Sequence, residues 1–136
     1  MKCVLFLTAD YANISREGKL NVMGIFDRIN AFSFPVRHPQ MQLVLKLRAE
    51  LGETSESRLL EIKLIDEDGT SLAYLKSEFS FPDYASGQER EFNAILGISD
   101  IVFPKPGTYT FVALVDGYNQ SEESIELIKI DQPGEE

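Results

Sequence analysis

The stretch MQLVLKLRA at residues 41–49 places an apolar side chain at every second position, from Met41 to Ala49. Alternation with a period of two is typical of a β-strand that turns one face to a core and the other to solvent. The same alternation recurs at residues 59–65, 91–98 and 108–115. The chain is therefore predicted to consist of strands that each bury every second side chain.

Turn-forming residues separate the alternating runs. Asp66-Glu67-Asp68-Gly69 falls between the strands predicted at 59–65 and 71–77, and a Pro-Gly pair precedes the strand at 108. Gly24, inside the apolar run 20–29, predicts a bulge or a sharp bend. About eight or nine strands without a clear helical period predict an all-β fold. We expect an antiparallel β-sandwich of the immunoglobulin-like, Greek-key type, with a closed or partly open barrel as the alternative.

A tyrosine at the start of a late strand supports the sandwich. Tyr109 follows Pro106-Gly107-Thr108 and resembles the corner tyrosine of immunoglobulin-like sandwiches, whose hydroxyl bonds the backbone a few residues upstream. The alternative is an aromatic residue of the core whose ring is buried and whose hydroxyl contacts solvent. The chain has one cysteine and no tryptophan, so the other marks of antibody domains are absent. The resemblance is to the architecture alone.

Composition predicts one soluble domain. The chain has 136 residues, which suits a single domain at residues 1–130, followed by an acidic tail at 131–136 that should fray. Its net charge of −9 argues against a nucleic-acid partner or an anionic membrane, because phosphates attract a basic surface. One cysteine excludes an internal disulfide, and the apolar run after Lys2 ends at Asp10, too early for a signal peptide. We expect a cytoplasmic protein.

Residues for catalysis are sparse. The only histidine, His38, lies between Pro35 and Pro39 and is predicted to be a loop residue, while Cys3 lies in an apolar strand that would hide its thiol. Neither provides a nucleophile with a base and an orienting group, so we expect a protein that is not an enzyme and needs no cofactor. A calcium site at Asp66 and Asp68 is a weak alternative to a simple turn.

The remaining candidates for a binding site are aromatic residues near irregular backbone. Two Phe-x-Phe-Pro segments, at residues 32–35 and 79–82, lie between predicted strands. Such segments usually cap the ends of a sandwich and bury their rings, but a partly exposed pair would form a patch for a protein partner. The candidate binding residues are Phe32, Phe34, Arg37, His38, Phe81 and Tyr84.

One string is similar to a known family. The residues Gly18-Lys19-Leu20-Asn21-Val22-Met23-Gly24-Ile25-Phe26-Asp27, with Asp10-Tyr11-Ala12-Asn13 before them, resemble short bacterial proteins grouped as a domain of unknown function. The similarity extends over nearly the whole chain, from about residue 3 to residue 130. It implies a bacterial single-domain protein and supplies no functional residues.

Two functional readings follow from the sequence. The first is a non-enzymatic binding or accessory module that acts through protein–protein contacts, including a homodimer through a sheet edge. The alternative is a small-ligand or calcium-binding protein with at most weak hydrolytic activity.

Overall fold

The computed structural model describes residues 1–83 and 90–133. Within these ranges the chain forms nine strands and no helix, so no helix long and apolar enough to cross a membrane is found there. The strands are β1 (Lys2–Ile14), β2 (Leu20–Phe26), β3 (Arg28–Ala31), β4 (Val36–Arg48), β5 (Arg58–Ile65), β6 (Ser71–Phe79), β7 (Glu91–Phe103), β8 (Gly107–Val115) and β9 (Tyr118–Lys129).

The strands form two sheets. One has the order β2-β1-β4-β7 and the other the order β3-β9-β8-β5-β6. Neighbours run antiparallel except β3 and β9, which pair in parallel. One of the sheets is curled into a half-barrel. The all-β, mostly antiparallel fold predicted from the sequence is thus confirmed.

The core is built from the alternating residues of both sheets. The buried side chains of β4 and β7 on one sheet, and of β5, β8 and β9 on the other, belong to a single apolar cluster. The members from β4, β5 and β8 are Met41, Leu43, Leu45, Leu47, Leu60, Ile62, Leu64, Tyr109, Phe111, Ala113 and Val115. Each is one of the residues that the period of two assigned to a core-facing side.

The pairing of strands divides one apolar run and corrects one sequence expectation. The run 20–29 belongs to two strands, because the chain leaves the first sheet after Phe26 and pairs with β9 of the second sheet from Arg28 onward. His38 is not in a loop but in β4, opposite Ile101 of β7. The adjacent Pro39 is tolerated because β1 pairs only with residues 42–48 of β4, which leaves residues 36–41 with a free edge.

A buried arginine joins the connections at one end of the strands. Arg90, which is buried, donates from Nε to the carbonyl of Pro82 (2.6 Å) and from Nη1 to the carbonyl of Glu53 (2.5 Å). Its Nη2 lies 2.9 Å from Ser55 Oγ. One guanidinium therefore satisfies backbone carbonyls of two separate loops, which a shorter or uncharged side chain could not do.

Tyr109 makes the hydrogen bond expected of a corner tyrosine. Its hydroxyl donates to the carbonyl of Lys105, four residues upstream, at 2.6 Å. The side chain is only 1% exposed, and its ring packs edge-on against Phe103 with 4.9 Å between centroids. The contact holds the connection between β7 and β8 against the core.

We predict that Tyr109→Phe lowers the free energy of unfolding by about 1–3 kcal/mol, because it leaves a part-buried carbonyl without its donor while the ring still packs. Urea unfolding followed by circular dichroism measures the change. Tyr118→Phe is the matched control, because Tyr118 is 75% exposed. Equal stabilities for the two variants would show that the Lys105 bond contributes nothing.

A carboxyl group faces the interior on β9. Glu123 lies on the same face of β9 as the buried Ile125 and Leu127, because the three residues are spaced two apart. Its side chain is half-buried. Burial raises the pKa of Glu123, and the nearby carboxylate of Asp27 raises that pKa further. The folded state therefore binds a proton at Glu123 more tightly than the unfolded state, and ionised Glu123 opposes folding.

We predict that Glu123→Gln raises Tm at about pH 7, because the raised pKa of folded Glu123 makes ionisation oppose folding there, and that the gain disappears at about pH 3, below the pKa of Glu123 in both states. Thermal unfolding at the two pH values measures the difference. Glu126→Gln removes the same charge from an exposed position of β9 and is the control. A Glu123→Gln gain that persists at the lower pH would contradict the assignment.

Candidate functional site

The two aromatic segments predicted to bind lie at opposite ends of the strands. Residues 32–35 precede β4, whose Val36 pairs with the last residue of β7, whereas Phe81 lies beyond the end of β6, near Arg58. Phe81 is also 1% exposed and belongs to the core, so it cannot contribute to a surface patch. Phe34 is half-buried against the core and Phe32 is 47% exposed. Tyr84 lies outside the described residues.

The polar members of that predicted site have partners within the sheet. Arg37 forms an ion pair from Nη1 to Asp100 Oδ1 of β7, and both side chains are exposed. His38 is half-buried, with its ring centroid 6.0 Å from that of Phe26. Arg37 and His38 are neighbours on β4, where side chains alternate between faces, so they do not point together toward one ligand.

The loop of Asp66 and Asp68 serves as a turn. Asp66 Oδ1 accepts hydrogen bonds from the backbone N–H groups of Asp68 and Thr70, both at 2.9 Å, and Asp68 Oδ2 lies 3.5 Å from Lys105 Nζ. The carboxylate of Asp116 accepts from Leu59 N at the far end of β5, roughly 20 Å away along the strand, and so does not join this loop. No group of three or more His, Cys, Asp or Glu in the described ranges could hold a metal ion.

The structure directs attention instead to the β1–β2 hairpin, residues 10–26, which bends back over the sheet. Leu20 pairs with Ile14, so in a straight strand it would lie roughly 30 Å from Leu5. Yet Leu5 and Leu20 line the same cleft. The backbone N–H of Ala12 also donates to Gln42 Oε1 at 2.5 Å, which ties the bent hairpin to β4.

The bend is located at a close approach between the two strands of the hairpin. Asp10 and Gly24 face each other in the register, since Ala9 pairs with Ile25 and Tyr11 with Met23. Gly24 has a φ of +71°, and a Cβ added there would overlap the carboxylate of Asp10. Only glycine combines this backbone conformation with this contact, and this irregular backbone lies at the position where the sequence predicted a bulge or a sharp bend.

The outer side of the hairpin carries an apolar ladder, defined here as Tyr11, Met23 and Ile25. Tyr11 and Met23 are directly paired, and Ile25 lies one step along on the same face. They are 50%, 64% and 63% exposed, respectively. The next pair, Asn13 and Asn21, joins through its side chains at 2.9 Å and gives the ladder a polar end.

The inner side of the hairpin covers a cleft of about 480 Å³, called here the hairpin cleft. Three half-buried apolar side chains, the exposed Val4 and three charged side chains surround it. Its lining residues are Val4, Leu5, Gly18, Lys19, Leu20, Val22, Lys46 and Glu91. The hairpin therefore presents one apolar surface outward and encloses a second, mixed surface against the sheet.

The family is shown by a match that spans this hairpin and almost all of the remaining chain. The model of DUF6941, a family of unknown function, matches residues 4–128. The chain belongs to the DUF6941 family. Membership confirms the resemblance to proteins of unknown function, and it assigns no role to any residue. Comparison with curated proteins finds no match.

Two solved structures are similar to this DUF6941 protein. The alkylpurine DNA glycosylase AlkC of Pseudomonas fluorescens, bound to DNA with an abasic site analog, matches with a TM-score of 0.53 and 11% identity over 93% of this chain and 30% of that one. A β-glucuronidase of glycoside hydrolase family 2 matches with a TM-score of 0.40 and 14% identity over 90% of this chain and 11% of that one. The chain thus spans less than a third of either protein, and the glycosylase likeness concerns the fold alone.

Sequence reasoning did not find the ladder. Tyr11, Met23 and Ile25 are separated in sequence by the turn of the hairpin, and only the register of β1 against β2 brings them to one face. The available signal was the alternation of Leu20 and Val22 with Asn21 and Met23 on β2. This alternation places Met23 on the other face of β2 from Leu20 and Val22, but it does not indicate which of the two faces is covered.

We predict that Gly24→Ala destabilises the protein by more than Gly18→Ala. Both glycines have positive φ, +71° and +83°, but a Cβ at Gly18 meets nothing within 4 Å. Gly18→Ala should therefore cost only the left-handed penalty of about 1–2 kcal/mol, whereas Gly24→Ala adds the overlap with Asp10. Urea unfolding of the two variants gives both values.

A double-mutant cycle measures the coupling free energy between Asp10 and residue 24. In an Asp10→Ala background the carboxylate is gone and only the Cβ of residue 10 remains, 3.0 Å from the added Cβ, so Gly24→Ala should cost less than it costs in the native background. An unchanged cost of Gly24→Ala in that background would mean that Asp10 has no part in the bend.

Proposed function

We propose that this DUF6941 protein is a non-enzymatic binding module that docks another protein through the apolar ladder. The observation that carries the proposal is the side-by-side exposure of Tyr11, Met23 and Ile25 on one face of the hairpin. Tyrosine and methionine are enriched where proteins meet, and lysine and glutamate are depleted. The ladder itself carries no charge.

The position of the ladder supports docking rather than a structural role. Tyr11 and Met23 are outside the core cluster, so their apolar area is not needed to hold the sheets together. An extended partner could also pair with β2, which is an edge strand of its sheet and offers backbone groups beside the ladder.

We further propose that the fold is an immunoglobulin-like Greek-key sandwich with an added hairpin. Three features support this: the order β1-β4-β7 opposite β9-β8-β5, the parallel pairing of β3 with β9, and the hydrogen bond of Tyr109 at the start of β8. In this interpretation β2 is an insertion into a common scaffold, and the inserted strand carries part of the binding surface.

We also propose that the protein acts in the bacterial cytoplasm. Its single cysteine, Cys3, is a free thiol, which suits a reducing compartment.

The test is a comparison of two double variants that each introduce two negative charges. The variant Met23→Glu with Ile25→Glu places two carboxylates in the ladder, while Val102→Glu with Tyr118→Glu adds the same charge at exposed positions, 51% and 75% accessible, outside the hairpin. Cross-linking in the native host, followed by mass spectrometry, identifies partners. Purified partner and purified variants are then measured by titration calorimetry.

We expect a purified partner to bind the native protein and the control pair alike, and to bind the ladder variant at least about tenfold more weakly, since burying a carboxylate costs more than one kilocalorie per mole. Equal binding by the ladder variant would refute the proposal. Sedimentation of the three proteins distinguishes a second copy of this chain from a different partner.

A further inference from the structure

The edge strand β7 differs from the other edge strands of the two sheets. Of these, β3 is only four residues long, β2 is bent at Gly24, and β6 carries the exposed charges of Lys76 and Glu78. A short, bent or charged edge limits pairing with another strand. In contrast, β7 has 13 residues, and its residues 92–99 include no charged side chain and no proline. Within the described ranges β7 pairs with β4 alone, so its other side is open to pairing.

The regular part of β7 is symmetric in length about Ile95. Asp100 interrupts the strand conformation with a φ of +58°, whereas residues 91–99 pair with β4 without a register shift. The even-numbered residues from Phe92 to Ile98 contact the core cluster, so the odd-numbered ones lie on the other face. The uninterrupted stretch therefore has nine residues, and Ile95 is its midpoint.

An apolar cleft opens beside this midpoint. At one end of the two edges, Phe79 of β6 stacks on Phe92 of β7 with 4.4 Å between the ring centroids. Farther along, a cleft of about 280 Å³ lies between the two strands. Leu75 of β6 and both Ile95 and Leu96 of β7 line it, and all three side chains are only half-buried. The free edge of β7 thus adjoins apolar side chains that the chain itself leaves partly uncovered.

We propose that β7 pairs with β7 of a second copy of this chain, in an antiparallel arrangement with a two-fold axis at Ile95. The axis pairs each residue of 91–99 with the residue equally far on the other side of Ile95 in the second copy. On the core side, Phe92 of one copy then lies opposite Ile98 of the other, and Ala94 lies opposite Leu96. Apolar residues meet apolar residues along the whole core side, so the stretch is its own complement.

Charge and side-chain alternation both favour this register. Glu91 of one copy lies opposite Ser99 of the other, which is uncharged. A shift of the register by one residue would place Glu91 opposite Asp100, which carries the same charge. The same shift would also oppose core-facing and outward-facing residues, because side chains alternate along a strand.

The size of the contact predicts a dimer that dissociates on dilution. Nine paired residues span about 30 Å, and packed sheets lie about 10 Å apart. The side facing the second copy is therefore smaller than the roughly 800 Å² that each partner buries in an interface of standard size. Since β2 and β7 are opposite edges of the first sheet, the dimer leaves the ladder free and does not depend on it.

Sedimentation of the full chain from about 1 μM to about 1 mM, the range in which weak complexes dissociate, tests the dimer. We expect the native protein to shift from monomer to dimer within this range. Ile95→Lys should weaken the dimer at least about tenfold, because the axis places the two new ammonium groups side by side. Val102→Lys adds the same charge at an exposed position of β7 beyond Asp100 and should dimerise as the native protein does.

A disulfide tests the register independently of the stability of the lysine variant. In a Cys3→Ser background, Ile95→Cys places two thiols at the axis with Cα atoms about 4.5–5.5 Å apart, a separation that a disulfide spans. In the same dimer Val102→Cys places its thiols roughly 45 Å apart along the paired strands. Mild oxidation should therefore give a covalent dimer with Ile95→Cys and not with Val102→Cys.

Three results would overturn the proposal. A native protein that stays monomeric at about 1 mM would exclude a second copy as the occupant of this edge. Equal dimerisation of the native protein and Ile95→Lys would place the contact elsewhere, and equal cross-linking of the two cysteine variants would refute the register. Failure here would leave the ladder proposal standing, because the ladder variant keeps β7 intact.

Discussion

The close approach of Asp10 to Gly24 is the constraint on which the surface of this protein depends. The rest of β1 pairs with β4 from Lys2 to Ala9, with one register shift between Cys3 and Leu5, and an unbent hairpin would extend past that sheet into solvent. The positive φ of Gly24, together with the carboxylate in the place of a Cβ, turns the ribbon back instead. One side of the hairpin then packs on the sheet. The other side is left with apolar residues that no part of the described chain covers.

The same bend explains one feature of the sheet beneath it. Val44 points away from the core by its alternation with Leu43 and Leu45, yet it is fully buried. Residues on the outer face of an uncovered sheet would contact solvent, so another part of the chain must cover the face that carries Val44. The hairpin thus extends apolar burial to a side of the sheet that the two-sheet core does not reach.

The sequence predicted the core residues and the role of Tyr109 because both follow from local rules. The period of two identified the inward residues of β4, β5 and β8, and the Pro-Gly turn identified Tyr109. The sequence did not predict where segments distant in the chain meet. Phe81 and Phe34 occupy similar motifs, but one motif follows β6 and the other precedes β4, so they lie at opposite ends. Arg90 carries no sequence signal, since its partners are backbone carbonyls of two loops. The ladder and the hairpin cleft likewise depend on register and on the bend.

The residues that stabilise the fold are therefore different from those that form the exposed apolar surface. The core cluster supplies the apolar burial that stabilises the fold, and it contains none of the ladder residues. Substitutions in the ladder therefore change what the surface can bind at little cost in stability, whereas substitutions at Gly24 change both surfaces of the hairpin together. Gly24 adopts its positive φ without steric cost because it has no Cβ, so the hairpin holds its shape without stored strain for as long as that position remains glycine.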